Sequence, residues 1–145
     1  MEAKQIHEEG GQKTFALVFD TGDEVMACLT NFAKENGLDA ARLTAIGAFS
    51  DATLGYFDIQ RKDYEKIPVE EQVEVLSLVG DIAKGNSGEP QVHAHVVVGR
   101  SDGTTRGGHL LEARVRPTLE VILVESLEHL RRGTDEEIGL PLITM

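Results

Sequence analysis

Val92-His93-Ala94-His95-Val96-Val97-Val98-Gly99, Arg100-Ser101-Asp102-Gly103-Thr104 and Thr105-Arg106-Gly107-Gly108-His109-Leu110-Leu111-Glu112 follow one another in the chain. The first segment is valine-rich and suits a strand. The stretch Ser101 to Thr104 carries turn residues, with Gly103 free to take a positive φ. Together they predict an antiparallel hairpin. Side chains alternate along a strand, so His93 and His95 point to the same side. Folding about Asp102-Gly103 sets His95 opposite roughly position 110. A one-residue bulge at Gly107-Gly108 would bring His109 beside it. Three imidazoles then converge on one face of a sheet.

The rest of the chain reads outward from this hairpin in the same rhythm. Strands are expected at Arg42 to Phe49, Thr53 to Asp58, Val73 to Val79, Val92 to Gly99, His109 to Val115 and Leu119 to Glu125. Turn material separates them at Ser50-Asp51, Lys62-Asp63, Lys84 to Pro90, Ser101 to Thr104 and Arg116-Pro117. Upstream, Thr14 to Phe19 is a β-prone run ending at Asp20-Thr21-Gly22. A helix follows from about Glu24 to Asn36, with Val25, Cys28, Leu29 and Phe32 on one apolar stripe. Thr21 or Asp23 can cap its start and Gly37 its end. Leu127 to Arg132 suits a short second helix. The apolar tail, Ile138 to Met145, suits packing, for instance on a neighbouring subunit. The expected fold class is α+β: a mainly antiparallel β-sheet with one principal N-terminal helix packed on it. Residues 1–145 form one domain in this reading, with a core at about 14–125 and a tail at 126–145.

Composition narrows the function. The 145 residues carry 14 Lys and Arg against 25 Asp and Glu, a formal charge of −11. Phosphate backbones need a clustered cationic face, so direct nucleic-acid binding is not expected. No apolar run approaches the ~20 residues of a membrane helix. The polar start, Met1 to Gly10, does not read as a signal peptide. The one cysteine, Cys28, excludes an intrachain disulfide and fits a reducing, cytoplasmic setting. It lies on the helix stripe and reads as a small core residue. With 41% hydrophobic residues the chain can build a core without staples.

Three histidines with an open fourth position form a zinc arrangement, and neutral imidazoles equally suit other divalent transition metals. Histidines on a solvated or hydrogen-bonded strand face give the same pattern without a metal, and both readings stand on the residues alone. Glu112 or Asp51 is a candidate fourth ligand or orienting partner. Arg100 and Arg106 flank the turn and are candidates for an anionic ligand, or simply exposed. His7 and His129 read as structural or exposed. No phosphate-cradling loop or hydrolase elbow occurs.

Gly47-Ala48-Phe49-Ser50-Asp51-Ala52-Thr53-Leu54-Gly55-Tyr56, Val73-Glu74-Val75-Leu76-Ser77-Leu78-Val79-Gly80, His93-Ala94-His95-Val96 and Gly107-Gly108-His109-Leu110 resemble, in that order, the PPC domain, the plant-and-prokaryote conserved domain. Arg116-Pro117-Thr118-Leu119-Glu120-Val121 extends the match, which covers roughly Phe15 to Glu125. The resemblance is to the stand-alone prokaryotic type. It implies an α+β fold, a homotrimer, and a zinc-like metal held by His93, His95 and His109. Plant members carry an AT-hook that binds DNA, with an Arg-Gly-Arg-Pro core. Arg114-Val115-Arg116-Pro117 puts valine in place of that glycine and lacks flanking basic residues, so the DNA role does not transfer. The expected function is a homotrimeric, metal-binding protein with a ligand-binding or protein-interaction role, a small anionic ligand or another protein being the partner besides itself. The alternatives are a metal-dependent hydrolase or lyase using Glu112 or Asp51 as base, and a purely structural trimer module.

Overall fold

The computed structural model describes residues 1–144. Its strands are β1 (Glu2–Glu9), β2 (Gln12–Asp20), β3 (Ala40–Asp58), β4 (Asp63–Val69), β5 (Val73–Lys84), β6 (Pro90–Gly99), β7 (Thr105–Glu125), β8 (Arg131–Thr134) and β9 (Pro141–Thr144). One helix, α1 (Val25–Asn36), lies between β2 and β3. The backbone pairings run β1-β2-β7-β3-β5, with β4 on β3 and β6 joining β5 to β7. Because β3 and β6 each pair with both β5 and β7, the four strands close into a ring. Phe49, Leu54, Leu78, Ile82, Leu110 and Leu123 of these strands are buried in one core cluster, joined by Phe19 of β2. The helix covers this core through Val25, Leu29, Phe32 and Ala33, and Phe32 meets Phe15 edge to face at 5.2 Å.

The expected α+β class does not hold. Strand takes 66% of the chain and helix 8%, so the fold is β-dominated. The physical reason lies in two segments that look like turns. Ser50-Asp51 and Arg116-Pro117 sit inside continuous strands of 19 and 21 residues. The β3–β7 register jumps from Gly47–Leu119 to Phe49–Val115, so residues 116–118 oppose Ala48 alone. Pro117 thus occupies a bulge where β3 requires no N–H from it.

Local capping follows the same logic. Gly37 ends α1 at φ 63°, as its position predicts, and its N–H bonds to the carbonyls of Ala33 and Lys34. At the other end neither Thr21 nor Asp23 is the cap. Glu24 is, its carboxylate accepting from the Ala27 N–H at 2.6 Å. Cys28 is half-buried against the core, and burial pushes its thiol pKa up. The second helix is absent: residues 127–130 are irregular and residues 131–134 form β8, which pairs with β9. The apolar tail therefore folds back on its own chain, Met145 lying outside the described residues. The polar start is also ordered, as the fully exposed β1 against β2.

Candidate metal centre

Along β6, Val92, Ala94, Val96 and Val98 point into the core, which leaves His93 and His95 on the outer face. The neighbouring strand brings the third imidazole. His95 pairs with His109 directly, one position short of the expected register and without a bulge. The cause is the turn: residues 100–104 form a longer loop, closed by Arg100 N–H to the Thr104 carbonyl at 2.8 Å. Gly107 and Gly108 stay in register opposite Val97 and Val96. Their lack of a side chain serves close packing, since a Cβ on Gly108 would come within 2.9 Å of the Gly55 carbonyl oxygen.

The three rings have centroids 5.0 Å (His93–His95), 5.0 Å (His93–His109) and 5.4 Å (His95–His109) apart. One nitrogen from each lies within 4.8 Å of the others. The Nε2 atoms of His93 and His95 are 3.2 Å apart, close to the ~3.3 Å edge of a tetrahedron with Zn–N bonds of about 2.05 Å. His109 Nδ1 is buried without a hydrogen-bond partner. The donor set and spacing therefore fit a divalent ion that favours imidazole.

Electrostatics favour the neutral form of two of the three rings, His109 and His95. Burial, then the neighbouring His93, His95 and Arg132, pulls the His109 pKa down to about 4. Burial and His93 lower that of His95 as well. Neutral rings present lone pairs without proton competition near pH 7.

The orienting groups differ from those expected. Glu112 accepts from Thr53 Oγ1 at 2.9 Å and Asp51 from Ser50 Oγ at 2.7 Å, and neither joins the cluster. Arg100 is paired with Glu71, and Arg106 donates to the Pro68 carbonyl, so both are engaged away from it. His7 and His129 are exposed. The partners are Asp81, Arg132 and Tyr64. Asp81 lies across β5 from His93, its Oδ2 3.7 Å from Nδ1. Burial raises the Asp81 pKa, but the pairing with His93 and Arg132 outweighs this and holds the carboxyl below its usual value. Arg132, 5% exposed at its side chain, donates from Nη2 to Asp81 and sits 3.2 Å from His93 Nδ1. The Tyr64 ring packs on His109 with centroids 4.7 Å apart.

Gly80 makes this placement possible. A Cβ there would collide with the His93 carbonyl oxygen and lie 3.1 Å from Ala94 Cα. Gly80→Ala is expected to push β6 away and cost about 2 kcal/mol, as overpacking does. Chemical denaturation measures it, and an unchanged midpoint would show that the strands can part freely.

The Plants and Prokaryotes Conserved (PCC) domain model matches residues 6–127. A plant- and prokaryote-conserved protein of Pyrococcus horikoshii is 34% identical, with 91% of each chain covered and a TM-score of 0.85. A metal-containing protein of Archaeoglobus fulgidus is 36% identical over 100% of both chains, also at 0.85. The Bifunctional protein GlmU of a Synechococcus strain is 33% identical over 122 residues, 83% of this chain. The chain spans only 18% of that relative's length.

Proposed function

The chain belongs to the Plants and Prokaryotes Conserved domain family, and on that premise we propose that it is a homotrimeric protein holding a zinc-like divalent metal through His93, His95 and His109, with a ligand-binding role. The observation that carries the metal is the convergence of three imidazoles, one nitrogen of each lying within 4.8 Å of the others and the Nε2 atoms of His93 and His95 3.2 Å apart. The relative named for its metal, identical at 36% over the whole chain, supports it. Three protein nitrogens leave one position open, where the ion would supply Lewis acidity. Asp81 Oδ2, 3.7 Å from His93 Nδ1, is the carboxylate that would complete a carboxylate–histidine–metal arrangement once Nδ1 carries the proton and Nε2 faces the ion. Tyr64 limits how the His109 ring can turn.

Assembly is supported by an apolar outer face. Ile46, Leu76, Val79 and Ile122 are each more than two-fifths exposed and line one shallow groove across β3, β5 and β7. Exposed apolar residues grouped in this way mark contact surfaces. A trimer would multiply the −11 of each chain, which disfavours unaided DNA binding further. The arginines of Arg114-Val115-Arg116-Pro117 belong to β7, so no AT-hook is assigned. No helix among the described residues is long and apolar enough to cross a membrane. The free Cys28 fits a cytoplasmic setting.

Two measurements test the reading. Untagged protein given zinc and dialysed should retain roughly one ion per chain by elemental analysis, and a metal-free product would overturn the site. Sedimentation should give a trimer, and Ile122→Lys should release monomers. Monomeric wild-type protein at micromolar concentration would overturn the assembly.

A further inference from the structure

Beside the His cluster lies a pocket of about 170 Å³, lined by Tyr64, His93, His109 and Arg132, with Leu140 and Leu142 at one wall. Its size is below that of pockets for drug-sized ligands, ~300 Å³ and above, which restricts an occupant to a few heavy atoms. The chain has 25 acidic residues, yet none lines this pocket.

Arg132 is the informative side chain. Its Nη1 donates to the Pro141 carbonyl at 3.0 Å, and its Nη2 donates to Asp81 and lies 3.2 Å from His93 Nδ1. Its Nε is buried and has no partner. A buried guanidinium N–H left unsatisfied is costly and calls for an acceptor. Asp81 neutralises the guanidinium, so a divalent ion on the three imidazoles would leave two uncompensated positive charges beside this pocket. An anion is the complement. Resting on the metal reading, we propose that the pocket takes a small carboxylate, one oxygen at the open metal position and the carboxylate accepting from Arg132. β8 and β9 form the outer wall: Arg132 belongs to β8, and Leu142 to β9.

Cobalt(II)-loaded protein tests this, because its visible absorption reports ligands at the metal while elemental analysis reports loading. Glycolate should change the spectrum saturably and bind at least ~10-fold more tightly than neutral ethylene glycol, charge-assisted hydrogen bonds being the stronger kind. Arg132→Lys keeps the charge but loses the fork, and should weaken glycolate about 10-fold at full cobalt loading. Leu142→Trp, on the exposed hairpin, should block glycolate and leave cobalt bound. Full loading with glycolate no better than ethylene glycol, or indifferent to both variants, would overturn the anion pocket alone. Inorganic phosphate binding as tightly as glycolate would overturn the carboxylate assignment. Failure to load cobalt would remove the metal reading and this proposal with it.

Discussion

Replacing His95 with alanine is expected to weaken zinc binding by at least ~100-fold, since residues that merely orient a ligand are worth about 10–100-fold each. His95 is the cleanest of the three for this test. It is exposed, and the neighbouring core contacts are made by Ala94 and Val96, both buried. Removing it should leave metal-free stability within ~0.5 kcal/mol of the parent, as for surface substitutions elsewhere. His109→Ala would be harder to read, because Tyr64 rests on that ring. A competition titration against a chromophoric chelator measures the affinity. Unchanged affinity in His95→Ala would place any bound ion elsewhere on the protein.

The centre was legible because strand alternation is a local property. His93 and His95 share a face whatever the rest of the chain does, and Asp102-Gly103 announces the turn that returns His109 to them. The exact register was not legible, since a five-residue loop and a tighter turn with a bulge both bring His109 near His95. What alternation cannot show is continuity across a bulge. Ser50-Asp51 and Arg116-Pro117 carry turn chemistry, yet β3 and β7 absorb them by shifting register. That missed continuity turned a ring of long strands into an expected α+β sheet of short ones. Asp81 and Arg132 escaped notice for a different reason. Asp81 meets His93 only through the β5–β6 pairing, and Arg132 reaches them from a segment that reads as helix. Buried-charge partnerships between distant segments leave no periodic trace in a sequence. The exposed β1 was silent too, because a strand that buries nothing has no apolar alternation to display.

The metal-free protein is expected to lose about 3 kcal/mol of stability between pH 6.5 and pH 4 through His109 alone. An unfolded histidine titrates near 6.5, whereas burial, followed by repulsion from any charge on His93 and His95 and from Arg132, holds His109 at about 4 in the fold. Above pH 6.5 the ring is neutral in both states and contributes no pH dependence. As the pH falls through 6.5 the unfolded chain takes up a proton that the folded chain refuses, so unfolding becomes easier. The loss grows until the pH reaches about 4, where the folded ring is protonated too and the difference stops growing. His95, shifted the same way, adds to the slope. Saturating zinc should steepen it, because a ligated ring binds protons less readily still and the ion must leave before protonation. His109→Gln removes the titrating group, and the difference between variant and parent in urea midpoints across this range isolates its share from that of the carboxylates. Parallel curves for the two proteins between pH 6.5 and 4 would show that His109 takes its proton freely in the fold, and that the ring is not held in the neutral state a metal ligand requires.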